Sequence, residues 1–91
     1  MVTQKLLVTN EVGLHMRPAA VFAEEMQKFE CEITIVFNGT RVNAKSILNI
    51  MTACIKCGDE FVLECDGPDE QDAAEKARWL IETNFEDEDE E

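Results

Sequence analysis

A chain of 91 residues has room for one domain. A domain of that size buries only about 60% of its unfolded surface, so its core must be small and continuous. The apolar fraction of 45% excludes a chain disordered throughout, and 8 Lys and Arg against 20 Asp and Glu give a formal net charge of −12. That charge argues against any surface built for nucleic-acid phosphates or anionic membranes.

The charge is unevenly spread. Residues 86–91 are six consecutive acids, which leaves 14 acids and 8 bases in residues 1–85. The expected organisation is a single domain over 1–85 followed by a solvated, disordered tail over 86–91. The first residues, MVTQKLLVTNE, lack the long apolar core of a secretory signal. No apolar run approaches the roughly 20 residues that span a bilayer, so a cytoplasmic chain without membrane insertion is expected.

Residues 2–9 alternate, with Val2, Leu6 and Val8 on one face and Thr3, Lys5 and Thr9 on the other, as in a half-buried strand. Pro18 suits the first turn of a helix, where its missing N–H is not needed. From there Ala19, Phe22, Ala23 and Met26 make an amphipathic stripe, with Glu24, Glu25 and Lys28 off it. EITIVF over 32–37 alternates again, Asn38-Gly39 is a two-residue hairpin turn, and TRVNA forms the returning strand.

Ser46 caps a short apolar helix that begins ILNIM. Gly58-Asp59 turns the chain into EFVLEC, where Phe61, Leu63 and Cys65 share a face. Gly67-Pro68-Asp69 is a turn whose Asp69 can cap a last helix lined by Ala73, Ala77, Leu80 and Ile81, with Trp79 off that stripe. The order β-α-β-β-α-β-α predicts an α+β open-faced sandwich, a four-stranded antiparallel sheet covered on one face by three helices.

Four cysteines, Cys31, Cys54, Cys57 and Cys65, include a CxxC at Cys54 and Cys57. A redox pair or half of a zinc site are both open readings of that motif. No second CxxC or CxxH accompanies it and there is one His, so the expectation is small reduced thiols, buried or half-buried, and no metal.

The segment GLHMRPAA, Gly13 to Ala20, concentrates the chemistry. The only histidine, His15, stands just ahead of a helix N-terminus and two residues from Arg17. The free amides and positive dipole end of a helix hold anions. The same field and Arg17 oppose protonation of the imidazole, leaving a neutral nucleophile able to form a covalent intermediate. Nucleophile, guanidinium and amides together suit a phosphohistidine. The competing readings are a helix-capping His15 beside a surface Arg17 or, with less support, a metal ligand that lacks partners.

GLHMRPAA, followed about thirty residues later by NAKSILNIM, resembles the HPr family, the histidine-containing phosphocarriers of the sugar phosphotransferase system. The resemblance runs from about residue 2 to residue 85. It implies that His15 carries a phosphoryl group on Nδ1, taken from phosphoenolpyruvate by way of enzyme I and passed to the IIA domains of sugar permeases. Arg17 then accompanies the phosphate, and the protein is a relay without a cofactor rather than a stand-alone catalyst. Ser46 matches the serine that a dedicated kinase/phosphorylase modifies in many low-GC Gram-positive bacteria. That match implies such a kinase, and a catabolite-control transcription regulator, as further partners; the alternative is that Ser46 serves only as an N-cap.

Met16, Ala20, Val21, Ile47, Leu48 and Met51 supply more apolar surface than two short helices need, and the resemblance makes them a docking patch of a monomer. The competing view places most of them, Leu48 or Ile50 above all, in the core. Met16 stands where the family has a small residue, Cys54 where glycine is common and Cys57 where lysine is frequent. Two other functions remain open: a regulatory module of the same fold that signals by phosphorylation state, and a CxxC thiol or zinc protein.

Overall fold

The computed structural model describes residues 1–9 and 16–83. In chain order the elements are β1 (Val2–Leu7), α1 (Met16–Met26), β2 (Glu32–Phe37), β3 (Thr40–Asn43), α2 (Ile47–Ala53), β4 (Glu60–Asp66) and α3 (Glu70–Glu82). The strands form one antiparallel sheet in the order β1-β4-β2-β3. This is the expected α+β open-faced sandwich.

Strand periodicity decides the two faces of the sheet. An inward row, Gln4–Leu63–Ile35–Val42, crosses all four strands, and an outward row, Lys5–Val62–Val36–Arg41, lies one residue away. Leu6, Val8, Ile33, Ile35, Phe61, Leu63 and Cys65 are buried with Phe22, Met26, Ile50, Leu80 and Ile81 from the helices in a single core. Gln4 is the polar member of the inward row, at the β1 edge. Its Nε2 donates to the Ala74 carbonyl at 2.7 Å, and its Oε1 accepts from Arg78 Nε at 2.7 Å, which fastens α3 over that edge.

The β2–β3 turn is the one its residues demand. Asn38 has φ 53° and Gly39 φ 78°, both left-handed, as in the primed two-residue turns that match strand twist. In α1 the stripe Ala19, Phe22, Ala23 and Met26 is fully buried. Glu25, off that stripe, is nonetheless buried; it accepts Lys28 Nζ at 3.1 Å from the turn that follows α1 and faces Lys76 Nζ of α3 at 3.7 Å.

Ser46 is the N-cap of α2, its Oγ accepting the Asn49 N–H at 3.2 Å. The helix ends at Cys54 with φ 56°, so the position where glycine is common is a left-handed cap occupied here by a cysteine. Of the two residues read as core, Ile50 is fully buried and Leu48 is 70% exposed. A helix of seven residues turns only twice, and the two side chains point about 200° apart.

Asp69 departs from expectation as well. It occupies the N-cap position of α3 but makes no capping bond. Its carboxylate instead accepts the Glu30 and Cys31 amides at 2.8 and 2.9 Å, tying the turn before α3 to the start of β2. Those bonds, the Glu30 amide first, hold its pKa below the ordinary carboxylate value. Gly67 is required beside this clamp, since a Cβ there would lie 2.6 Å from Cys31 Cα. Trp79 is partly exposed as its register predicts, with Lys76 Nζ 4.6 Å from the ring centroid.

Candidate functional site

The described part of the site is the first turn of α1 and the face it shares with α2. His15 and residues 10–14 lie outside the described residues, as does the tail over 84–91; Met16 opens α1, but its side chain is likewise outside the description. Arg17 is the second residue of α1 and is exposed. It stands in the turn whose backbone amides have no helical acceptor, the end of a helix that attracts anions.

Packing between α1 and α2 sets the remaining groups. Ala20 and Val21 are partly buried, as are Ile47 and Met51, while Leu48 projects into solvent. Val21, Ile47 and Met51 lean on the core, so each presents only part of its surface outward. Among the described candidates for a docking patch Leu48 is the exposed side chain, and Ala20, Val21, Ile47 and Met51 are partly buried.

Ser46 belongs to the other end of this face. The carbonyl of neighbouring Lys45 accepts Gln27 Nε2 at 2.9 Å, and Lys45 Nζ donates to the Phe29 carbonyl at 2.6 Å. Both contacts are with the segment that follows α1. At a rise of about 1.5 Å per residue, Gln27 is about 15 Å along the axis from Arg17. Ser46 is thus near the far end of α1 from Arg17. Sequence reading missed Gln27 and Lys45 because their bonds join residues 16 to 18 positions apart.

The cysteines divide into two classes. Cys31 and Cys65 are buried as expected, but Cys54 and Cys57 are exposed, and all four are free thiols. Burial first, then the bond to and charge of Asp69, push the Cys31 thiol up to about 12. Burial first, then the Glu70 charge, push Cys65 up to about 11. Among the described residues no group of three or more His, Cys, Asp or Glu is placed to hold a metal ion. No described helix is long and apolar enough to cross a membrane.

The family model described as the PTS HPr component phosphorylation site matches residues 2–83. The chain belongs to the HPr family. The phosphocarrier protein HPr of Mycoplasma capricolum is 45% identical over 75 residues, which are 82% of this chain and 84% of that protein. The crystal structure of HPr from Thermoanaerobacter tengcongensis superposes with a TM-score of 0.91 at 36% identity, covering 93% of this chain and 96% of the other. The HPr-like protein Crh of Bacillus subtilis, crystallised as a swapped dimer, gives a TM-score of 0.74 at 38% identity, over 91% and 95% of the two chains. The function of the chain is accordingly that of an HPr phosphocarrier of the phosphotransferase system.

Proposed function

We propose that His15 is the phosphoryl-bearing residue, that Arg17 is the cation accompanying the phosphate, and that the donor is phospho-enzyme I and the acceptors are sugar-specific IIA domains. In the forward step the neutral His15 Nδ1 attacks the phosphorus held by enzyme I. A new N–P bond forms as the bond to the donor breaks, and the three phosphoryl oxygens pass intact. The second step repeats this with an acceptor on IIA. The chain supplies a nucleophile, a cation and helix amides and relies on each partner for the remainder, which is the character of a relay rather than a stand-alone enzyme.

The observation that carries this reading is the exposed Arg17 in the first turn of α1, beside an α2 that presents Leu48 outward. A phosphate bound there meets positive field, and a partner approaching it meets an apolar contact. Met16, Ala20, Val21, Ile47 and Met51 complete the contact in this reading. Phosphorylation of Ser46 adds about −1.5 to −2 charge at the rim of the same face, so it weakens docking of an acidic partner without unfolding the domain.

Incubation with enzyme I and phosphoenolpyruvate tests the proposal. An acid-labile phosphate appears on the wild-type chain, is absent in His15→Ala, and moves to a IIA domain. Likeness to the HPr-like Crh favours a second reading, a regulatory module. That reading wins if His15→Ala changes no partner binding while Ser46 phosphorylation does. The relay reading also takes the chain to be cytoplasmic and monomeric, and light scattering of the purified protein separates a monomer from a swapped dimer of the Crh kind.

A further inference from the structure

The sheet ends at β1, and the alternation of the antiparallel ladder decides which of its backbone groups stay open. The two-residue turn at Asn38-Gly39 makes Phe37↔Thr40 a hydrogen-bonded pair, and Ala44 N–H donating to the Ile33 carbonyl at 2.9 Å keeps the same phase further along. Ile33, Ile35 and Phe37 therefore turn their amides and carbonyls toward β3, and Thr34 and Val36 turn theirs toward β4. Carried across β4, the alternation directs Val2, Gln4 and Leu6 at β4 and Thr3, Lys5 and Leu7 away from it. Val8 agrees with this phase: its N–H donates to the Asp59 carbonyl at 2.9 Å, and its carbonyl accepts the Gly58 N–H at 2.8 Å. Among the described residues, no backbone group meets the outward amides and carbonyls of Thr3, Lys5 and Leu7. Such an edge is a template for any extended chain, and folded proteins commonly cover it.

The end of the chain arrives at this edge. Three contacts show that α3 runs alongside β1 in the same direction. The Met1 ammonium lies 3.3 Å from Glu70, Gln4 bonds to Ala74 and Arg78, and Lys5, Leu7 and Thr9 share a surface hollow with Arg78, Ile81 and Glu82. The last turn of α3 thus lies beside the C-terminal end of β1, and residues 84–91 follow from there. Eight extended residues reach about 26 Å at about 3.3 Å each, against about 20 Å for the six residues of β1.

We propose that residues 84–91 add to β1 as an antiparallel fifth strand, in place of the solvated tail that composition suggests, so that the chain's own end covers the open edge. Charge follows the same direction. Glu60 and Glu82 stand at the Leu7 end of the edge, and the uncharged Asn84 and Phe85 pass them first. Phe85 meets Leu7, which is 48% exposed on the outer face of the sheet. The acids over 86–91 then run toward exposed Lys5 and the Met1 ammonium. Tethering favours this occupant, because a segment joined to α3 meets the edge at the high effective concentration of an intramolecular contact. A second copy would instead bring together two chains of net charge −12 each. The covered edge keeps Thr3, Lys5 and Leu7 from pairing with extended segments of other chains.

The test is amide hydrogen exchange, read residue by residue by NMR on the full-length protein; no phosphate enters it, so it is independent of the phosphocarrier reading. Arg41, whose amide faces the open edge of β3 by the same alternation, is the internal control. After correction for intrinsic rates, the Thr3, Lys5 and Leu7 amides should exchange about tenfold more slowly than that of Arg41, at any protein concentration. Asp87→Pro/Glu88→Pro removes an N–H from whichever side of the segment faces β1. In that variant the protection of Thr3, Lys5 and Leu7 should be lost, while Gln4 and Leu6, bonded to β4, keep theirs. Thr3, Lys5 and Leu7 amides that exchange as fast as Arg41 in the unaltered chain overturn the proposal. Protection that survives the two prolines overturns it too, and protection that rises with protein concentration assigns the edge to a second copy instead.

Discussion

Leu48 and Ile50 are two residues apart on one short helix and face opposite environments, which makes them a matched pair for separating docking from folding. Leu48 is 70% exposed and Ile50 is fully buried. Fully burying a leucine is worth about 1.5–3 kcal/mol, so covering the exposed share of Leu48 with a partner is worth about 1–2 kcal/mol. At 1.4 kcal/mol per factor of ten, Leu48→Ala should weaken binding of a partner seated on α2 by about 5- to 30-fold. Its effect on stability should stay within about 0.5 kcal/mol, as for other exposed sites.

Ile50→Ala inverts the pattern. Emptying a fully buried site costs about 2–5 kcal/mol of stability. Molecules that remain folded still present Leu48 and should bind a partner much as the wild type does. The assay combines thermal unfolding with the concentration dependence of phosphoryl transfer from enzyme I. The reasoning fails if Leu48→Ala lowers the melting temperature as much as Ile50→Ala, or if it leaves the half-saturating concentration unchanged.

Two further outcomes follow from the clamp between β2 and the turn before α3. Gly67→Ala brings a Cβ to 2.6 Å from Cys31 Cα, and backbone rather than a pliable side chain must yield. A loss of about 1–3 kcal/mol is expected, a melting point lower by at least about 4 °C, and a Gly67→Ala protein that melts within a degree of wild type contradicts the packing described. The depressed pKa of Asp69 makes its contribution present above the unfolded-state value of 3.8 and lost as pH falls through the lower folded-state value. Urea midpoints of wild type and Asp69→Asn should therefore differ at pH 7 and converge in strong acid; a gap independent of pH would mean the carboxylate charge is not what the two amides recognise.

Most of the architecture was legible because period-2 strands and one hairpin turn leave few alternatives. Ile33 and Ile35, Phe61 and Leu63, and the Asn38-Gly39 turn each follow from local sequence, and so does the Ser46 cap. What escaped was long-range. Asp69 looked like a cap because the amides it serves lie 38 and 39 residues earlier. Glu25 looked exposed because half its compensation, Lys76, comes from α3. The phase of α2 was ambiguous between Leu48 and Ile50 because seven residues hold too few turns for periodicity to choose. The family was readable from GLHMRPAA and NAKSILNIM because spacing along the chain carries those motifs; how much of Val21, Ile47 and Met51 stays exposed was not, because it depends on how α1 and α2 lean on one core.

The strand order β1-β4-β2-β3 has a consequence for how this chain emerges from the ribosome. The first strand made has no partner until residues 60–66 exist, since every one of its pairs, from Val2↔Cys65 to Leu7↔Glu60, reaches across most of the sequence. Until then only α1, the β2–β3 hairpin and α2 can form from what has already been translated. Such distant pairings raise contact order and slow folding. The N-terminal strand must therefore wait, unpaired and partly apolar, until β4 has been made, and the sheet can close only when α3 is the one element still to come.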